Sequence, residues 1–274
     1  MPRVSASGLN MFYEMTGDGP PLLLIPGLTA DHTGWMLQVP AFIAAGYRCI
    51  AIDNRDVGQT DESPIERYTI RDMSDDTAAL LDHLEAGPVH VIGYSMGGMI
   101  AAEMALNHPG RVKSLTLCVT DAGQDPLIPA WLSSMMLLRP KCNTREFCQV
   151  LVPWLFSPGF LAQPVAVEAI VDAFVANPFP QTVNGFIRQC HAILTHDVRG
   201  RLGSIAVPTH IVAAEADIIL PPRNSRFLAE GIRGSRLTVL PQVGHAACWE
   251  NAGVLNDAVL SFLNEVSQKV EAVH

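Results

Sequence analysis

Charge is scarce in this 274-residue chain: only 16% of its residues are Asp, Glu, Lys or Arg, and only 7% are aromatic. Basic side chains are scarcer than acidic ones, 18 Lys and Arg against 27 Asp and Glu, for a formal net charge of −9. An acidic chain with no basic run repels phosphate backbones, so nucleic acid is not an expected partner. The same sign disfavours docking on anionic lipid. No stretch reaches the roughly 18–20 apolar residues a membrane helix needs. The longest candidate, Pro126 to Leu138, is interrupted by Pro126, Pro129, Ser133 and Ser134. The opening segment MPRVSASGLN has no apolar core, so no secretory signal is expected. Six cysteines are scattered without C-x-x-C spacing, and no second pair joins Cys142 and Cys148 to complete a zinc site. They read as the reduced thiols of a cytoplasmic protein. Neither a Rossmann glycine fingerprint nor a phosphate loop is present, and no cofactor is expected.

What the chain does have is apolar mass. Hydrophobic residues make up 49% of it, enough for a large core at the upper end of single-domain size, which points to one domain carrying an insertion. Short apolar runs bounded by turn residues recur at Pro21 to Ile25, Arg48 to Ile52, Val89 to Ile92, Val112 to Val119, Thr209 to Ala214 and Leu237 to Leu240. Runs of this length suit strands buried on both faces. Leu9 to Met15 alternates imperfectly and reads as an early edge strand. Helical spacing intervenes at Met73 to Leu84, Met96 to Asn107, Ser225 to Ile232 and Val254 to Val266. Strand alternating with helix predicts a mostly parallel sheet flanked by helices.

The alternation fails between about residues 120 and 200. Apolar helical stretches there, around Trp131 to Leu138, Leu151 to Phe156, Val165 to Val175 and Val183 to Leu194, predict an all-helical insertion. The expected organisation is a core in two parts, 1–120 and 201–274, with a helical cap over 121–200. Placed above the carboxyl edge of the sheet, such a cap covers the crevice where open α/β sheets bind ligands. Its Met and aromatic stripes are expected to serve the cap's own core more than the ligand.

One motif carries chemistry. The third apolar run leads directly into Gly93-Tyr94-Ser95-Met96-Gly97-Gly98, a G-x-S-x-G pattern between a strand and a helix. Chance alone supplies about 0.08 such matches in a chain of this composition, so the pattern means little without its context. In that context the serine sits on a sharp, strained turn, and Gly93 and Gly97 lack the side chains that would keep helix and strand apart. A serine nucleophile needs a base, and the base needs a carboxylate to orient it, in the chain order Ser, Asp or Glu, His for this turn type. Asp217 follows the fifth run and His245 follows the sixth, behind Gly244. Glu215 and Asp197 are rival acids, and His32 is a weaker rival base. His90 reads as packed in a strand, His83 and His108 as surface residues, and His191 and His196 as cap residues within reach of a ligand. Arg188 and His191 read as a solvent-facing pair, with contact to a polar substrate end as the alternative. Acyl transfer also needs two backbone N–H groups for the oxyanion. Met96, after the serine, and Leu28, in the turn after Pro26-Gly27, are the candidates, although a plain structural turn explains Pro26-Gly27 equally well.

These residues together resemble the α/β-hydrolase superfamily, in particular its compact bacterial esterase, haloperoxidase-like and lactonase members. The resemblance runs through Pro26-Gly27 with Trp35, the Asp53-Asn54-Arg55-Asp56-Val57-Gly58 loop, the Gly93 to Gly98 turn, Asp217 with Pro221, and Gly244-His245. It departs from the family pattern in two places. Pro26 stands where His is common, and Asp56 stands where Gly is common, so that loop is expected to differ. The stretch His245-Ala246-Ala247-Cys248-Trp249-Glu250 is similar to that of hydrolases cleaving carbon–carbon bonds in ring-fission products. The resemblance implies a carboxylic ester hydrolase acting on a small molecule with apolar groups. Lactone hydrolysis, including acyl-homoserine and enol lactones, is one alternative, and carbon–carbon bond hydrolysis a further one.

Overall fold

A computed structural model describes residues 3–6, 8–123 and 125–271 of the chain. Eight strands form one sheet: β1 (Arg3–Ala6), β2 (Leu9–Thr16), β3 (Pro21–Ile25), β4 (Arg48–Ile52), β5 (Val89–Tyr94), β6 (Val112–Cys118), β7 (Thr209–Ala214) and β8 (Arg236–Leu240). Their order is β1-β2-β4-β3-β5-β6-β7-β8. The β1/β2 and β2/β4 pairs are antiparallel, and the pairs from β4 through β8 are parallel. The expected mostly parallel α/β-hydrolase sheet is what forms. One expectation fails: β2 is not an edge strand, because the four-residue β1 pairs outside it and supplies the edge. So short a strand leaves little periodicity to read.

The central strands are buried on both faces, which is why they read as solid apolar runs. In β3, Leu23 and Ile25 enter one core and Leu22 and Leu24 the other, and β4 divides Ile50 and Ile52 from Cys49 and Ala51 in the same way. Helices α1 (Val39–Ala44), α2 (Ile70–His83) and α3 (Met96–Asn107) connect the first strands. A Thr69–Asp72 capping box starts α2 one turn ahead of the first strongly periodic residue. Between β6 and β7 lie α4 (Leu127–Leu138), α5 (Thr144–Leu155), α6 (Pro158–Leu161), α7 (Pro164–Val175) and α8 (Val183–Leu194), with no strand among the described residues there. After β7 come α9 (Pro222–Gly231), α10 (Ala247–Glu250) and α11 (Ala252–Glu271). The one-turn helices α6 and α10 and the short α1 are too brief for periodicity to announce. Among the described residues, no helix is long and apolar enough to cross a membrane.

Candidate active site

Ser95 joins β5 to α3 with φ +54° and ψ −119°, a left-handed region that L-residues avoid. Close packing enforces the turn. A Cβ on Gly93 would lie 2.2 Å from the Gly97 carbonyl oxygen, and one on Gly97 would lie 2.1 Å from the Ile25 carbonyl oxygen. The Ser95 N–H donates to the Cys118 carbonyl at 2.9 Å, and its own carbonyl accepts from the Thr120 hydroxyl at 2.7 Å. These bonds hold the strained residue between β5, β6 and α3, with its hydroxyl free of the backbone.

Asp217 follows β7 and His245 follows β8, so the parallel strand order carries both to the carboxyl edge beside Ser95. The His245 Nδ1 lies 2.7 Å from Asp217 Oδ2, and Nε2 lies 3.0 Å from the Ser95 hydroxyl oxygen. The other Asp217 oxygen accepts the N–H groups of Ile219 and Leu220, each at 2.9 Å. An ionised carboxylate only accepts, so Nδ1 carries the proton and Nε2 presents its lone pair to the hydroxyl. Asp217 is buried at 2% exposure, so solvent does not compete for the imidazole.

The rivals lie elsewhere. Glu215 is exposed and accepts the Gln242 N–H, while Asp197 pairs with Arg199. His32 Nδ1 faces Asp53 at 2.7 Å. Neither His191 nor His196 lines the cavity at Ser95. Arg188 is no solvent-facing partner of His191, because its guanidinium forks onto Asp56 at 2.6 and 2.9 Å. His90 is packed in β5 against the Ser114 hydroxyl, as its position implied. Asp31, His32 and Asp53 gather three groups able to hold a metal, but the carboxylate oxygens of both aspartates already accept hydrogen bonds. Asp53 takes the N–H groups of His32 and Gln59, and Asp31 takes those of Thr33 and Asn177.

Leu28 and Met96 both line the cavity at Ser95. Met96 is the first residue of α3, so its N–H has no acceptor inside the helix. The Pro26-Gly27-Leu28 turn lies directly on the serine: a Cβ on Gly27 would be 3.2 Å from Ser95 Cβ. The next residue, Thr29, has φ +67°, and its N–H reaches the buried Gln189 side chain of α8 at 3.5 Å.

The cavity has a volume of about 140 Å³, and its lining holds no Lys, Arg, Asp or Glu. Trp131, Leu132, Leu151, Leu155 and Phe174 of the inserted helices face it across from Ser95 and His245. The apolar stripes are therefore divided: Trp131 faces the cavity, while Met135 packs in the core and Leu137 is exposed. Three supporting residues escaped the sequence reading. Tyr94, Gln189 and Glu250 act through bonds to backbone groups of distant segments, for which spacing offers no signal.

The architecture and this arrangement define an α/β hydrolase. The family model for the alpha/beta hydrolase fold matches residues 20–252. The chain belongs to that family, and it is a hydrolase. It is 32% identical over 262 residues to a Variovorax paradoxus (strain S110) protein named "Putative carbamate hydrolase RutD", covering 94% of this chain and 97% of that one. The structure of the Mycobacterium tuberculosis H37Rv protein named "Putative non-heme bromoperoxidase BpoC" superposes with a TM-score of 0.86 at 29% identity, over 94% of this chain and 96% of that one. The enol-lactonase from Burkholderia xenovorans LB400 superposes with a TM-score of 0.86 at 26% identity, over 96% and 100%.

Proposed function

We propose that the chain is a serine hydrolase of neutral carboxylic esters with apolar acyl or alkyl groups. The observation that carries this reading is His245 bridging the Ser95 hydroxyl and the buried Asp217 carboxylate at the wall of an apolar cavity. His245 Nε2 removes the Ser95 proton as the oxygen attacks the ester carbonyl. The N–H groups of Leu28 and Met96 receive the developing oxyanion, and the α3 N-terminus favours the same charge. His245 then protonates the leaving alkoxide, and a water activated by His245 releases the acid from the acyl-enzyme. Asp217 stays ionised throughout and holds the imidazole in its working tautomer. Residues 121–200 serve as a cap whose apolar helices receive the substrate. Six free cysteines suit a cytoplasmic enzyme.

The uncharged lining favours neutral substrates over an anionic carbamate, which would find no counter-charge there. Lactone hydrolysis is the second reading: it needs the same groups, with a leaving alkoxide tethered to the acyl part, and the enol-lactonase is a structural relative. A fluorophosphonate probe is the first test, and it is expected to label Ser95 and no other serine. A panel of p-nitrophenyl esters of rising chain length, lactones and a ring-fission product then separates ester, lactone and carbon–carbon bond hydrolysis. An unlabelled Ser95 in wild-type protein overturns the reading.

A further inference from the structure

Glu250 closes α10, five residues beyond His245, and is not among the residues that line the cavity at Ser95. Instead it accepts three hydrogen bonds. Oε2 accepts the N–H of Gly244 at 3.0 Å and the N–H of Ser157 at 3.0 Å, and Oε1 accepts the Ser157 hydroxyl. Gly244 immediately precedes His245. Ser157 lies between α5 and α6, next to Leu155 and Phe156, which both line the cavity. The two segments also meet without Glu250. The Ala246 N–H donates to the Leu155 carbonyl at 2.8 Å, and a Cβ on Gly244 would lie 2.7 Å from that same oxygen and from the Ser157 nitrogen. The backbone on both sides of the imidazole is thereby fastened to the helical segment that walls the cavity.

We propose that Glu250 is a positioning residue for His245, with Ser157 as its latch, so that base and cavity wall are held as one unit. This rests on the reading of His245 as the general base. The carboxylate is suited to the task because it is the only partner in this group that accepts from both segments at once. Without it, the buried Gly244 and Ser157 N–H groups lose their acceptor, and of the bonds that tie the turn into His245 to the cavity wall only that of Ala246 to Leu155 is left, while Tyr94 still holds the His245 carbonyl from the core side. An imidazole displaced by a fraction of an ångström still lies beside Ser95 and still leaves the substrate cavity intact. The expected signature is a fall in turnover with little change in substrate affinity, since a shift of about 1 Å in a reacting group costs on the order of 100-fold in rate.

The test compares Glu250→Ala, Glu250→Gln and Ser157→Ala with wild type on one p-nitrophenyl ester, with rates normalised to sites titrated by the fluorophosphonate. Glu250→Ala is expected to lower kcat by about 10- to 100-fold with KM within about twofold. Glu250→Gln is expected to recover most of the rate, because its amide oxygen accepts both N–H groups while its NH₂ donates to the Ser157 hydroxyl oxygen. Ser157→Ala, which removes the hydroxyl's bonds to Glu250 and to the Phe160 N–H and leaves the Gly244 and Ser157 N–H groups on Glu250, is expected to lower kcat by about threefold. It keeps the proposal open to refutation should Glu250→Ala fail to fold. Wild-type kcat per titrated site in Glu250→Ala or in Ser157→Ala overturns the positioning role alone, as does a loss confined to KM. Failure of the probe to label wild-type Ser95 overturns both this proposal and the reading beneath it.

Discussion

The phenol of Tyr94 donates to the carbonyl oxygen of His245 at 2.5 Å, so the residue before the serine holds the backbone of the histidine. The Tyr94 phenol oxygen in turn accepts the Cys248 N–H at 3.3 Å, and the Tyr94 and His245 rings meet edge-on with centroids 6.2 Å apart. Tyr94 is buried, and removing its hydroxyl takes a partner from both the His245 carbonyl and the Cys248 N–H. Tyr94→Phe is therefore expected to lower stability by about 1–3 kcal/mol, the usual cost of leaving buried backbone groups without partners. It should also lower ester kcat by roughly tenfold, because the imidazole loses its tether on the core side. Urea denaturation and steady-state kinetics on the purified variant measure the two effects separately.

The carboxylates after β7 differ in what they touch, and substitution should separate them. Asp217→Asn keeps the shape but turns an acceptor toward a donor, which favours the wrong imidazole tautomer. A loss of about 10⁴ in kcat is expected. Glu215 accepts only the Gln242 N–H at the surface, so Glu215→Gln should stay within about twofold of wild type. Ser95→Ala should reduce ester turnover by about 10⁴–10⁶ and abolish phosphonate labelling. Mass spectrometry of the labelled peptide checks the last point directly.

Much of this was legible before the fold was known, for a physical reason. The parallel strands are buried on both faces, so their apolar runs needed no pairing information to be seen. A turn with two obligatory glycines leaves its mark at fixed spacing, and a parallel sheet returns each later loop to the same edge. Ser95, Asp217 and His245 could be nominated in order on those grounds. The inserted helices were visible as apolar periodicity, but which of their side chains face the cavity depends on how they pack, and Trp131 and Met135 divide accordingly. Tyr94, Gln189 and Glu250 were illegible because each bonds to backbone groups supplied by another segment, and any sequence can supply those.

Asp56 is the case in which a sequence departure acquired a structural meaning. It occupies a position with φ +68°, where a glycine is conformationally easy and an aspartate is strained. Its fully buried carboxylate receives the Arg188 fork from α8, the Ser63 N–H at 2.7 Å and the Tyr68 hydroxyl at 2.7 Å. The Asp56 pair holds the Arg188 guanidinium above its ordinary pKa, against the opposing effect of burial. The strained loop is thus bolted to the inserted helices. Arg188→Ala, which leaves a buried carboxylate without its cation, is expected to cost about 3 kcal/mol of stability. Asp56→Gly should be about 1 kcal/mol more stable than Asp56→Ala, because both lose the ion pair but only Gly relieves the backbone. Parallel urea titrations of the three variants measure both differences.

Three histidines that do not line the cavity at Ser95 make the fold sensitive to acid. Burial pushes His90, His196 and His210 down to about 4; Lys113 adds to the effect at His90 and Arg236 at His210, while Glu103 and Asp197 oppose it at His196. Each is neutral in both folded and unfolded chains above pH 6.5. As pH falls from 6.5 toward 4, the unfolded chain takes up protons that the folded one refuses, so stability falls across that window. The slope is about 1.4 kcal/mol per pH unit for each histidine, or about 4 for the three together. His32 does not offset this. Burial lowers its affinity for a proton, but Asp53, Asp31 and Glu14 raise it further, so its folded pKa stands above 6.5. The stability His32 contributes is complete below pH 6.5 and is lost only as pH rises through that folded value. His196 isolates the effect, because neither ring nitrogen has a hydrogen-bond partner among the described residues. His196→Phe removes one titrating group and no hydrogen bond. It should match or exceed wild-type stability at pH 5 and flatten the slope between pH 6.5 and 5 by about a third. Urea denaturation at half-unit pH steps reads that slope, and an unchanged slope in the variant would show that His196 is protonated alike in the folded and unfolded chains.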